Sequence, residues 1–181
     1  MIRADVYYGG AQIRASDFGH RVRLAASGFR SLGIAAGDRV ALLLRNDPVF
    51  LEASLAAQML GAYPVPINWH FKADGIMHVL DDSAPPVLIA HADLLAGLED
   101  RLPHTLPVIV VPTPDTLGDT RSLDLFDGPL SGGQKRWSAW LDEQQPYIGD
   151  PLPAAESLIY TSGSSGKPKG VKRRPATADL A

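Results

Sequence analysis

The chain of 181 residues contains no cysteine. That excludes a disulfide scaffold, a thiolate zinc site and a cysteine nucleophile. No apolar run approaches the roughly 20 residues that a membrane helix needs. The opening residues, Met1-Ile2-Arg3-Ala4-Asp5, lack the apolar core of a signal peptide. A cytoplasmic location is therefore the expectation. The histidines, at 20, 70, 78, 91 and 104, are never three or four residues apart, so the sequence offers no helical metal pair and no metal ligands are assigned. Two common nucleotide fingerprints are also missing. Gly-x-Gly-x-x-Gly does not occur. At Gly166-Lys167 the common P-loop is broken, because Thr161 stands at its first glycine and Pro168 at its magnesium-binding hydroxyl.

What remains is an ordinary globular composition, 45% hydrophobic and 20% charged. The net charge of −3 hides an asymmetry. Residues 1–156 hold 12 Lys/Arg against 19 Asp/Glu, whereas residues 157–181 hold five cations against one acid. The cations are Lys167, Lys169, Lys172, Arg173 and Arg174. An acidic body with one basic end is unlike a nucleic-acid binder, whose positive charge spreads over a face. It suggests a local anion site.

Hydrophobic spacing predicts alternating elements. Residues 6–13 read as an edge hairpin around Gly9-Gly10. Ser16 is the expected N-cap of a helix whose stripe is Phe18, Val22, Ala25, Phe29 and Leu32, stopped by Gly33. Residues 39–44 form a continuous apolar run, as in a strand covered on both faces. Asn46 or Asp47 caps a helix over 48–60 with Pro48 first; it is apolar nearly all round and expected to be well buried. Residues 62–67 are extended, but Pro64 and Pro66 bar a central ladder position. A helix over 72–82, a strand over 86–90, a short helix over 93–100 and a strand over 106–111 follow. Residues 112–134, with four Gly and three Pro, are an irregular connector. A short helix over 135–144 and a last strand over 156–161 complete the order. Such alternation predicts an α/β fold with a mainly parallel sheet flanked by helices.

The last strand runs into Thr161-Ser162-Gly163-Ser164-Ser165-Gly166-Lys167-Pro168-Lys169-Gly170, which holds four hydroxyls, three glycines and two lysines. Glycine lets backbone N–H groups approach a ligand closely, hydroxyls add neutral donors and lysines add positive charge. No side chain in the stretch repels an anion. Its natural guest is a polyphosphate.

Residues 158–171 resemble the signature phosphate loop of the adenylate-forming superfamily: Tyr/Phe-Thr-Ser-Gly-Ser/Thr-Thr/Ser-Gly-x-Pro-Lys-Gly-Val. Ser165 stands where threonine is more usual and keeps the hydroxyl. Residues 33–44, 60–68 and 76–89 resemble further segments of the same superfamily, so the likeness covers nearly the whole chain. Asn68-Trp69-His70-Phe71 and the run after Val171 resemble the acyl-CoA synthetase branch more than the peptide-synthetase branch.

The resemblance implies an AMP-forming acid–thiol ligase that uses ATP, magnesium and coenzyme A, with a role such as fatty acid metabolism. Thr161, Ser162, Gly163, Ser164, Ser165, Gly166, Lys169 and Gly170 would hold the nucleotide phosphates, and Lys169 would carry the catalytic charge on departing pyrophosphate. Lys167 falls at a variable place of the pattern. The resemblance also implies a ribose aspartate, an acyl pocket and a C-terminal lysine beyond residue 181. The chain is thus expected to be an N-terminal portion of the large AMP-binding domain, inactive by itself. Its uncovered sheet or helix surfaces are expected to favour a homodimer. The alternative is a non-catalytic phosphate-binding or assembly module of the same fold.

Ordinary structural roles are expected for the other conspicuous residues. Trp137 and Trp140 read as core anchors, His70 as structural, and Lys172-Arg173-Arg174 as a solvated run. Asp81-Asp82 and Glu99-Asp100 read as helix ends, since adjacent helical residues point apart.

Overall fold

The computed structural model describes residues 4–113, 130, 134–153, 155–162 and 168–172. A short antiparallel hairpin, β1 (Val6–Tyr8) and β2 (Ala11–Ile13), turns at Gly9 and Gly10, both in the left-handed region. Helix α1 (Ala15–Ser31) follows. Ser16 does not cap it. The Asp5 carboxylate, just before β1, reaches the Ala15 N–H at 2.8 Å, so α1 starts two residues earlier and the Ser16 hydroxyl turns to Asp17. The helix ends at Gly33, whose φ of +86° suits a residue without Cβ.

Next come β3 (Arg39–Leu43), α2 (Pro48–Met59), β4 (Tyr63–Pro66), α3 (Ala73–Ser83), β5 (Leu88–His91), α4 (Ala92–Leu95) and β6 (Val108–Val111). The helix expected over 93–100 divides into α4 and a single 3₁₀ turn, Glu99–Arg101. Beyond the connector, of which only residues 112, 113, 130 and 134 lie within the described set, stand β7 (Lys135–Arg136) and α5 (Trp137–Asp142).

The sheet order is β4-β3-β5-β6-β7, with every neighbouring pair parallel. The prolines explain why β4 is an edge. Tyr63 and Ile67 donate their N–H groups to Asp38 and Leu42 of the β3 segment. The alternate positions, Pro64 and Pro66, have no N–H to offer a further strand on the open side.

Period-two alternation builds two cores. Val40, Leu42, Ile89, Ile109 and Val111 face α1, α2 and α5, while Ala41, Leu43, Leu88, Ala90, Val108 and Val110 face α3 and α4. The result is a mixed α/β fold with a mainly parallel five-stranded sheet between helical layers.

Asp47 caps α2 by accepting from the Phe50 N–H at 2.9 Å, ahead of Pro48. As expected, the helix is well buried: Pro48, Val49, Glu52, Ala53, Ala56 and Ala57 are buried, and Leu51, at 43%, is its one exposed residue. Small alanines let α1 approach closely. Gly28 does the same for α5: a Cβ at this mid-helix position would meet the Trp140 ring at 2.4 Å. Glu52 is buried in this layer, with Arg21 Nε at 2.6 Å and Trp137 Nε1 at 3.0 Å. Trp137 and Trp140 are core anchors, as expected, packed with Phe29.

The last strand departs from expectation. It is β8 (Leu158–Ser162), and it does not join the parallel sheet. It pairs antiparallel with β9 (Pro168–Lys172), a strand the hydrophobic pattern did not predict.

Candidate functional site

The hairpin β8–β9 flanks residues 163–167. In its register Thr161 stands opposite Lys169, Tyr160 opposite Gly170 and Ser162 opposite Pro168. Alternation gives the hairpin two sides. Tyr160 and Pro168 are buried against the body, while Thr161 and Lys169 are exposed. A hydroxyl and an ammonium thus share one open face as nearest cross-strand neighbours.

The buried side is held by α3. Tyr160 Oη donates to Asp82 Oδ2 at 2.5 Å. Burial, and then the Asp82 carboxylate, push the Tyr160 phenol well above its ordinary value, so it stays a donor. His78, one helical turn before Asp82, brings Nε2 to 2.9 Å from the Pro168 carbonyl oxygen. That oxygen only accepts, so Nε2 carries the hydrogen. Gly170 leaves room for the Tyr160 ring, because a Cβ there would lie 3.0 Å from it. Beside Pro168 a polar cavity of about 440 Å³ opens between Asp74, Met77, His78, Asp81 and Arg101.

Among the residues expected to bind phosphate, Thr161, Lys169 and Gly170 lie on the hairpin and Ser162 belongs to β8 by its backbone. Gly163, Ser164, Ser165 and Gly166 lie outside the described residues. His78, Asp82 and the packing role of Gly170 were missed by sequence reasoning. The one available signal was the four-residue spacing of His78 and Asp82, which places them on the same side of a helix. Asp82 therefore does more than end a helix.

A second polar group stands at the carboxyl ends of β3 and β5. These strands meet at the switch point of the sheet order, where open α/β sheets commonly hold ligands. His91 is completely buried there. Its Nδ1 accepts from the Arg45 N–H at 3.1 Å, so Nε2 donates to Asp47 Oδ2 at 2.8 Å. Arg45 pairs with both oxygens of Asp93 and lies 5.1 Å from the Trp69 ring centre. These groups satisfy one another, and the arrangement is a latch between strand ends. His70 is exposed and stacks on Trp69 at 3.5 Å between ring centres. Among the described residues no three His, Asp or Glu side chains gather as a metal cage.

Residues 3–175 match the family described as AMP-binding enzyme. The chain belongs to that family. A feruloyl-CoA synthase of Amycolatopsis sp is 32% identical over 91% of this chain and 29% of its own length. An L-proline–[L-prolyl-carrier protein] ligase of Streptomyces coelicolor is 30% identical over 92% of this chain and 30% of its own. Two solved structures share the fold. One is an anthranilate CoA ligase in complex with anthranoyl-AMP, with TM-score 0.78, 22% identity, and coverage of 94% of this chain and 31% of that one. The other is a putative long-chain-fatty-acid CoA ligase from Rhodopseudomonas palustris CGA009, with TM-score 0.67, 26% identity, and coverage of 90% and 38%. This AMP-binding family member thus spans just under a third of the length of these curated ligase relatives. Among its described residues no helix is long and apolar enough to cross a membrane.

Proposed function

We propose that the chain is the N-terminal part of the large domain of an ATP-dependent acyl-CoA ligase. A carboxylate attacks the α-phosphorus of ATP; the new C–O–P linkage forms an acyl-adenylate as pyrophosphate departs. A thiol, that of coenzyme A, then takes the acyl group and releases AMP. The segment 161–170 holds the β- and γ-phosphates, with Lys169 against the charge that grows on the leaving pyrophosphate. This is catalysis by positioning and electrostatics. The observation that carries the reading is the exposed Thr161–Lys169 pair at the mouth of the hairpin, in register with a family loop sequence. The names of the relatives support a carboxylate substrate and a thiol acceptor.

Magnesium fits this site as a passenger on the nucleotide. The segment offers hydroxyls and amides rather than carboxylates, and magnesium commonly binds through substrate phosphates and water. The acyl-transfer steps are proposed for the complete ligase rather than for this chain alone. Self-association through an exposed sheet or helix surface, such as that of α2 around Leu51, is part of the proposal, and a monomer in sedimentation would count against that part.

The test is carboxylate-dependent exchange of labelled pyrophosphate into ATP by the complete protein. Exchange that requires both carboxylate and magnesium is the expected result. Absence of exchange with every carboxylate class offered, alongside intact ATP binding, would favour the non-catalytic module.

A further inference from the structure

The two bonds from α3 reach both strands that flank residues 163–167. Asp82 takes the hydroxyl of Tyr160, three residues before that segment, and His78 holds the carbonyl of Pro168, the residue immediately after it. Both anchors come from one side of one helix, a single turn apart, and α3 is itself fixed in the core through Ile76, Val79 and Leu80. Hydrogen bonding between the strands fixes their register relative to each other. It does not fix the hairpin against the body. The hairpin forms a sheet of its own, without ladder bonds to the five-stranded sheet.

We propose that His78 and Asp82 are positioning residues that orient the hairpin, so that the Thr161–Lys169 face is presented at a constant angle to the polyphosphate. This rests on the phosphate-holding reading of that face. Neither residue touches the nucleotide; each acts through a strand. Loss of either bond lets the hairpin pivot about the remaining one. The predicted signature is weaker ATP recognition with carboxylate recognition intact.

The experiment measures KM for ATP, KM for the carboxylate, and kcat in the complete protein. The variants are Tyr160→Phe, His78→Ala and His78→Gln. Tyr160→Phe keeps the ring against Gly170 and removes only the hydroxyl. Loss of a hydrogen bond to a charged group corresponds to about a tenfold effect, so Tyr160→Phe should raise KM for ATP roughly tenfold and leave the carboxylate KM within about twofold. His78→Ala should act in the same direction. His78→Gln retains an N–H donor for the carbonyl and should recover most of the loss, which a role in bulk packing would not reproduce. If His78→Ala does not fold, Tyr160→Phe and His78→Gln carry the decision. Unchanged KM for ATP in Tyr160→Phe and His78→Ala, with wild-type exchange present, overturns the positioning role and leaves the ligase reading standing. Equal rises in both KM values, or no rescue by glutamine, also overturn it. Absence of pyrophosphate exchange and of ATP binding in the wild type overturns both.

Discussion

The strand-end latch and the β8–β9 hairpin use similar polar side chains in opposite ways. At the ends of β3 and β5, His91, Asp47 and Arg45 are bonded to each other, to backbone and to Asp93, and the histidine has no exposed surface. At the hairpin, the bonds run along the inner side, from Tyr160 to Asp82 and from Pro168 to His78, and the outer side leaves Thr161 and Lys169 open. A sheet switch point is a favourable place for a ligand, yet here it is closed by mutual satisfaction. The open, positively charged place is the hairpin outside the sheet. Burial and bonding, more than topology, decide which polar cluster is left open.

The contrast can be broken at either end. The largest effect is expected for Lys169→Ala. If its charge meets departing pyrophosphate, the exchange rate of the complete protein should fall about a hundredfold to a thousandfold, the scale of removing one preorganised stabilising group. An unchanged rate would remove Lys169 from the mechanism. The latch should answer in stability. His91→Ala leaves an Asp47 oxygen and the Arg45 N–H buried without their partner, at a cost of about 2–4 kcal/mol. A urea midpoint equal to that of the wild type would show the latch to be dispensable. Gly28→Ala asks whether the α1–α5 contact is as tight as the 2.4 Å approach to Trp140 indicates. Overpacking there should cost about 1–3 kcal/mol, and Trp140→Leu in the same chain should relieve part of it.

The smallest effect concerns Glu52. Burial holds its carboxyl above the ordinary value of 4.5, against the opposing pull of Arg21 and Trp137. A carboxyl raised on folding adds stability that is complete below its unfolded value and lost as pH rises through the folded one. Glu52→Gln does not titrate. The stability deficit of the glutamine variant should therefore shrink as pH rises from 4.5 towards neutrality, which parallel thermal melts can follow. A deficit that grows with pH would mean that the Arg21 pair outweighs burial.

The sequence made the body legible because its signals were local. Gly33 stops a helix, Asp47-Pro48 starts one, and Pro64 and Pro66 mark the edge strand. Family membership was legible through the residue types and their order over residues 158–171. What could not be read were contacts across long separations. Asp5 displaces Ser16 at the start of α1 from ten residues away, and Asp82 lies 78 positions from Tyr160. Strand β9 was hidden because Pro168-Lys169-Gly170-Val171-Lys172 has weak strand propensity; it is formed by pairing with β8 and by the fit of Gly170 to Tyr160. Glu52 sits in an apolar helix where its burial depends on Arg21 and Trp137, neither of them a sequence neighbour.

The central claim is that the open face of the hairpin grips a chain of phosphates. Titration of inorganic tripolyphosphate into the protein, wild type beside Lys169→Ala, tests it without requiring catalysis. The expected result is saturable binding by the wild type that weakens at high salt and is at least roughly tenfold weaker in the variant. Equal binding by both proteins, or none by the wild type, would contradict it.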